Sequence, residues 1–173
     1  QNKEREQWIE FRREEIIPVK YFHVVFTLPH CLHPVATANQ RELYDCMLKA
    51  AWGTIDAFAA GKGLQAGMTS ILHTWGSNLF FHPHIHCIVT GGGIDSDGIW
   101  HEIEGCRGTP FLFPVAAMSR KFRGRFMNLL TRRLKEKGTI IPQTIRKKCF
   151  TEPWVIYKLR SEERRVGKEG RSR

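Results

Sequence analysis

The stretch "FFHPHIHCIV", residues 80–89, sets His82, His84 and His86 at every second position of an otherwise apolar run. Alternate side chains of an extended strand share a face, so this spacing would line imidazoles along one side. Pro83 belongs at a strand start or an edge, which makes His84 and His86, flanking Ile85, the pair that a strand presents together. Ile85 and Cys87 would then face a core while the two rings converge on a cleft. Neutral imidazole suits Zn, Mn, Co or Ni and accepts Mg less readily. Two histidines leave a ligand set incomplete. The third ligand would be His82, close in sequence, or His73 from a neighbouring strand, or a carboxylate or amide from further downstream. The alternative is three partly buried, hydrogen-bonded histidines with no metal.

The elements that must position these residues are written in the apolar periodicity. "YFHVVFTLP", from residue 21, predicts a strand with Phe22, Val24, Phe26 and Leu28 on one side. Tyr21, His23, Val25 and Thr27 take the other side; both are largely apolar, as in a central strand, and Pro29 ends it. Leu43, Met47, Ala51, Ile55 and Phe58 recur at helical spacing across residues 36–60, and "AGKG" closes that helix. "MTSILHTWG" and "HIHCIVTGGG" predict two strands, joined through "SNLFFHP". "GGGIDSDGIW" predicts a glycine-rich turn into a short edge strand, since it lacks the spacing and lysine of a phosphate-binding loop. "TPFLFP" at 109–114 predicts a short strand or extended arm. Val115, Met118, Phe122, Phe126 and Leu129 mark a second long helix, residues 143–149 a short basic one, and "EPWVIYKL" a last strand. Residues 3–16 predict a charged helix at the start. Strand, helix, strand, strand, short strands, helix, strand is the order of an α+β fold. It fits a ferredoxin-like antiparallel sheet with helices packed on one face.

The chain of 173 residues, 42% hydrophobic and 25% charged, is enough for one core. No apolar run reaches the ~18 residues of a membrane span. Cys31, Cys46, Cys87, Cys106 and Cys149 are scattered without CxxC spacing. Reduced thiols in a cytoplasmic protein explain that pattern better than disulfides or a cysteine zinc site. The net charge of +10 is concentrated in residues 120–148, which hold eleven Lys or Arg against Glu136 alone. A basic surface of that kind favours a polyanion such as nucleic acid; a solvated helix face is the alternative.

Three blocks taken together, "YFHVVFTLPH", "LHTWGSNLFFHPHIHCIVTGGG" and "FLFPVAAMSRKFRGRF", resemble the two-tyrosine rolling-circle transposases of bacterial insertion sequences. These belong to the HUH endonucleases, named for His, a hydrophobic residue, His; here that is His84-Ile85-His86. The resemblance covers roughly residues 1–160. It implies an HUH endonuclease-like sheet whose histidines coordinate a divalent metal ion, Mg or Mn, against the scissile phosphate of single-stranded DNA at transposon ends. A tyrosine would attack phosphorus, leaving a 5′-phosphotyrosine link and a free 3′-hydroxyl. On this chain the resemblance makes His84 and His86 metal ligands, with His82 a third ligand or a residue behind the ligands. Thr27 falls in the strand beside the catalytic one, and His23 shares its side. Arg120, Lys121, Arg123, Arg125, Arg132, Arg133 and Lys135 would contact phosphates, which positions DNA without reading its sequence. Trp75 and Trp100 would stack on bases or serve the core.

The chain departs from the family at both ends. The resemblance leads us to expect a cysteine-rich zinc module before residues 1–18 and a catalytic tyrosine helix beyond the last strand. Only Tyr21, Tyr44 and Tyr157 occur, and none matches the nucleophile position. Residues 19–160 would then be a partial catalytic core that binds metal and DNA without a nucleophile. The last segment, "SEERRVGKEGRSR", is expected to be a disordered basic tail, or the translation of a sequencing-adapter oligonucleotide. Two other classes fit the same residues: a non-catalytic nucleic-acid-binding module, and a histidine-metal phosphodiesterase that uses water.

Overall fold

The computed structural model describes residues 6–7, 16–76, 80–104 and 112–160, with the side chains of 158–160 left out. Most of the first helix expected from sequence, Cys106, the first half of the "TPFLFP" arm and the C-terminal segment lie outside the described residues. Five strands form one sheet: β1 (Tyr21–Thr27), β2 (Gln65–Trp75), β3 (Phe81–Ile94), β4 (Trp100–Glu102) and β5 (Ile156–Arg160). The helices are α1 (His33–Ala38), entered through a short 3₁₀ turn, α2 (Gln40–Ala60), α3 (Val115–Glu136) and α4 (Gln143–Thr151).

The main path of the sheet runs β2-β3-β1-β5, every pair antiparallel, and β4 pairs with the far end of β3. With α2 after β1 and α3 before β5, this is the ferredoxin-like order expected from the sequence. β1 is central, as its two apolar sides required. Val24 and Phe26 of β1 and Ile85, Cys87 and Val89 of β3 point into one core with Leu43, Met47 and Ile55 of α2 and Met118, Phe122 and Phe126 of α3. All the long helices therefore cover one face of the sheet. The other face carries the alternate residues, the histidines among them. Across the helix layer, Lys137 donates to the Glu42 carboxylate, which holds that carboxyl below its usual range.

Two local expectations change. β3 begins at Phe81, so Pro83 lies inside it. The strand tolerates this because β1 reaches only to His84, its partner for Thr27, and the β2 register is irregular between His73 and Trp75. Among the described residues no strand partner demands the missing N–H there. Gly91, Gly92 and Gly93 are not a turn but part of the same strand. At Gly92 a Cβ would meet the His101 carbonyl oxygen at 2.2 Å, so only glycine lets β4 close onto β3. The turn follows at Asp95–Gly98, where Asp95 Oδ1 accepts from the amides of Asp97 and Ile99, each at 2.9 Å.

Candidate metal centre

Residues opposite each other in antiparallel strands share a face, so the register shows what stands beside the histidines. His84 is flanked by His73 of β2 and Thr27 of β1, and His86 by Ile71 and Val25. One potential ligand atom from each of His73, His84 and His86 lies within 4.8 Å of the other two. The third imidazole therefore comes from the neighbouring strand. His82 is not in that group.

The rings are held from behind. His84 Nδ1 donates to the His82 carbonyl at 2.7 Å, which fixes the proton on Nδ1 and leaves Nε2 with its lone pair. His86 Nδ1 lies 2.7 Å from Nε2 of His23, a residue 8% exposed on β1. The His23 and His86 rings stack with centroids 4.9 Å apart. Such contacts at the second nitrogen orient a metal-binding imidazole and set its tautomer. Three imidazole nitrogens in reach of one another, two of the rings with their other nitrogen engaged, fit a divalent cation that accepts imidazole.

His82 belongs to an adjoining group. Its ring lies 5.8 Å from His30 and 6.4 Å from His33, and 5.5 Å from His84. Burial first, then His84, His30 and His33, pushes its pKa below the usual histidine range, so it stays neutral near pH 7. Sequence reasoning missed His30 and His33. The signal was present in "PHCLHP", whose two histidines sit three apart just beyond the strand that carries Thr27.

The remaining expected site residues are spread out. Thr27 Oγ1 donates to the Val155 carbonyl at 2.7 Å, tying β1 to the approach of β5. Trp75 is 60% exposed at the end of β2, while Trp100 packs on the backbone of Gly92. Tyr157 pairs with Val25 and so stands on the histidine face, 59% exposed. Two strand spacings put it about 10 Å from His86 along that row. Tyr21 donates its hydroxyl to the Ile17 carbonyl, and Tyr44 lies on α2 against the core.

The expected phosphate-binding cations all lie on α3, in the helix layer behind the sheet. Arg120, Lys121, Arg125, Arg132 and Lys135 are exposed there. Arg123 donates to the Phe150 carbonyl at 3.2 Å, and Arg133 pairs with Asp45 and Glu136. None of the seven stands on the face that carries the histidines. Among the described residues no helix is long and apolar enough to cross a membrane.

The family described as "Putative transposase" matches residues 67–165. "Putative transposase y4qJ" of Sinorhizobium fredii is 41% identical over 129 residues, 73% of this chain and 32% of that protein. The transposase for insertion sequence element IS801 of Pseudomonas savastanoi pv. phaseolicola is 37% identical over 102 residues, 59% of this chain and 25% of that protein. The chain thus spans about a third or less of the curated relatives it matches. A solved structure of the conjugative relaxase TrwC, in complex with oriT DNA and metal-bound, aligns at a TM-score of 0.48 and 12% identity. That alignment covers 65% of this chain and 43% of the relaxase chain. With the family match spanning residues 67–165, which include all three clustered histidines, the chain belongs to this family of transposases.

Proposed function

We propose that this chain is the metal- and DNA-binding core of a transposase that nicks and joins single-stranded DNA at transposon ends. The observation that carries this reading is the convergence of His73, His84 and His86 from two adjacent strands, with the His82 carbonyl of β3 and His23 of β1 holding two of the rings from behind. His73 takes the third ligand place, for which His82 was the other histidine candidate. His82 serves instead through its carbonyl, which holds the His84 ring. Of the two cations expected, an all-imidazole set favours Mn²⁺ over Mg²⁺. When bound, such a cation polarises a phosphate and stabilises charge developing on its oxygens.

The rest of the open face suits a single strand. Ile71 and Ile88 are exposed beside the histidines, and Trp75 and Tyr157 offer rings on which bases can stack. No tyrosine in this chain occupies a nucleophile's place. Tyr157 is the nearest candidate by row, and Val25 stands between it and His86. The full protein would supply a tyrosine that attacks phosphorus, forms the 5′-phosphotyrosine and releases the 3′-hydroxyl. This chain alone would bind metal and strand without forming that link.

Two measurements on one sample test the reading. A Co²⁺ titration followed by visible absorption should show one site per chain, lost in the His84→Ala, His86→Ala variant. Incubation with single-stranded DNA and Mn²⁺ should give no covalent adduct on a denaturing gel. An adduct mapped to Tyr157 would overturn the assignment of the nucleophile to another segment. Metal-dependent cleavage without an adduct would favour a water-using phosphodiesterase.

A further inference from the structure

Three open clefts adjoin one another on the outer side of α3 and α4. The first, of 450 Å³, is lined by Arg120, Lys121, Gly124, Arg125, Asn128 and Leu129. The second, of 410 Å³, shares Gly124 and Asn128 with it and brings in Arg132, Lys135, Arg146 and Phe150. The third, of 500 Å³, shares Arg146 and Phe150 and continues to Gln143 and Lys147. The shared walls make one continuous trough.

Charge and chemistry in this trough are one-sided. Arg120, Lys121, Arg125, Arg132, Lys135, Arg146 and Lys147 line it, and none has a carboxylate partner among the described residues. From Lys121 to Lys135 the helix rises about 21 Å, a track rather than a spot. Asn128 and Thr131 add neutral donors along it. Phe150, 47% exposed, stands where the second and third clefts meet, with the Arg123 guanidinium 5.2 Å from its ring. A cationic groove that follows a backbone, with an aromatic ring set in it, is the construction that binds single strands without reading sequence.

This trough and the histidines lie on opposite sides of the molecule. Ile85 and Cys87 point toward the helices, whereas His84 and His86 point away from them. The few nucleotides at the histidines therefore cannot also lie in the trough. We propose that the trough holds the backbone of a second single-stranded DNA segment, separate from the strand at the histidines. The proposal rests on the reading that this chain handles single-stranded DNA, and it adds a second place for it.

The test is oligo(dT) binding by the whole chain, followed by fluorescence anisotropy across a salt series in EDTA, so that no metal contributes. The variant Arg132→Gln, Lys135→Gln, Arg146→Gln should lose at least about tenfold in affinity and about two units of the salt slope. Phe150→Ala should lose about fivefold or more with its slope unchanged. Lys62→Gln, an exposed cation outside the trough, should retain both affinity and slope. Unchanged affinity and slope in the triple variant would overturn the proposal. So would displacement of the probe by duplex DNA as readily as by single strands. Co²⁺ uptake by the triple variant, expected to be normal, shows that the fold is intact. Uptake that fails in the unmutated chain contradicts the proposed metal function and leaves the trough result standing.

Discussion

His23 and His86 face each other across β1 and β3 with 2.7 Å between Nε2 of the first and Nδ1 of the second. They are not direct strand partners: Val25 is opposite His86, and Ile88 is opposite His23. The contact is diagonal on the open face, where a long flat side chain can still reach. For His86 to offer Nε2 to a cation, its Nδ1 must carry the proton and donate to His23. His23 thereby selects the binding tautomer of a residue on another strand.

His23→Leu should therefore weaken Co²⁺ or Mn²⁺ affinity by about 10- to 100-fold while leaving the fold intact. His23→Gln, which keeps an acceptor, should recover part of the loss. A metal titration on both variants checks this; equal affinity for wild type and His23→Leu would remove His23 from the metal centre.

The third ligand can be identified in the same way. His73→Ala should cost far more metal affinity than His82→Ala, since the His82 contribution to His84 is a backbone carbonyl that alanine retains. The opposite ranking would return the third ligand place to His82.

Much of this centre could be read from the sequence, and its gap has a physical cause. Strand alternation alone puts His84 and His86 on one side with Ile85 and Cys87 on the other, because the period of two is local. The partner strand of His84 is a matter of register, which alternation cannot give. Both His82, nearest in sequence, and His73 therefore stood open as the third ligand, and the pairing of His73 with His84 is what favours His73. The position of α3 was legible from Met118, Phe122 and Phe126, and so was its basic outer side. That this side lies behind the sheet follows only from which face the helices cover. Pro83 misled by a general rule, because its strand neighbours happen to end or bulge beside it.

The glycine run gives a stability prediction. At Gly92 the atoms a side chain would strike are the backbone of His101 and the ring of Trp100, and neither is a flexible tip. Gly92→Ala should destabilise by about 1–3 kcal/mol or more. Urea unfolding would show a lower midpoint, and Gly98→Asn, in a turn with φ +78 and open space around it, should cost much less.

A pH dependence follows from His33. Burial, then the neighbouring His30, holds its pKa below the usual histidine range. Between that lowered value and the unfolded value of about 6.5, the unfolded chain holds more protons, so stability rises with pH. It is lost as pH falls through that window and falls no further once the folded form is protonated as well. The urea midpoint of the metal-free chain should drop as the pH falls through the unfolded value of about 6.5 toward the lowered folded one, and His33→Gln should flatten the drop. An equal drop in that variant would assign the dependence to other groups.

The most direct test of the central claim is single-stranded DNA affinity measured with and without Mn²⁺, in the wild type and in the His73→Ala, His84→Ala, His86→Ala variant. If these three imidazoles hold a cation against a phosphate, Mn²⁺ should tighten binding by the wild type and leave the variant unchanged. Equal affinity with and without Mn²⁺ in the wild type, or the same gain in the variant, would contradict a metal centre that engages DNA.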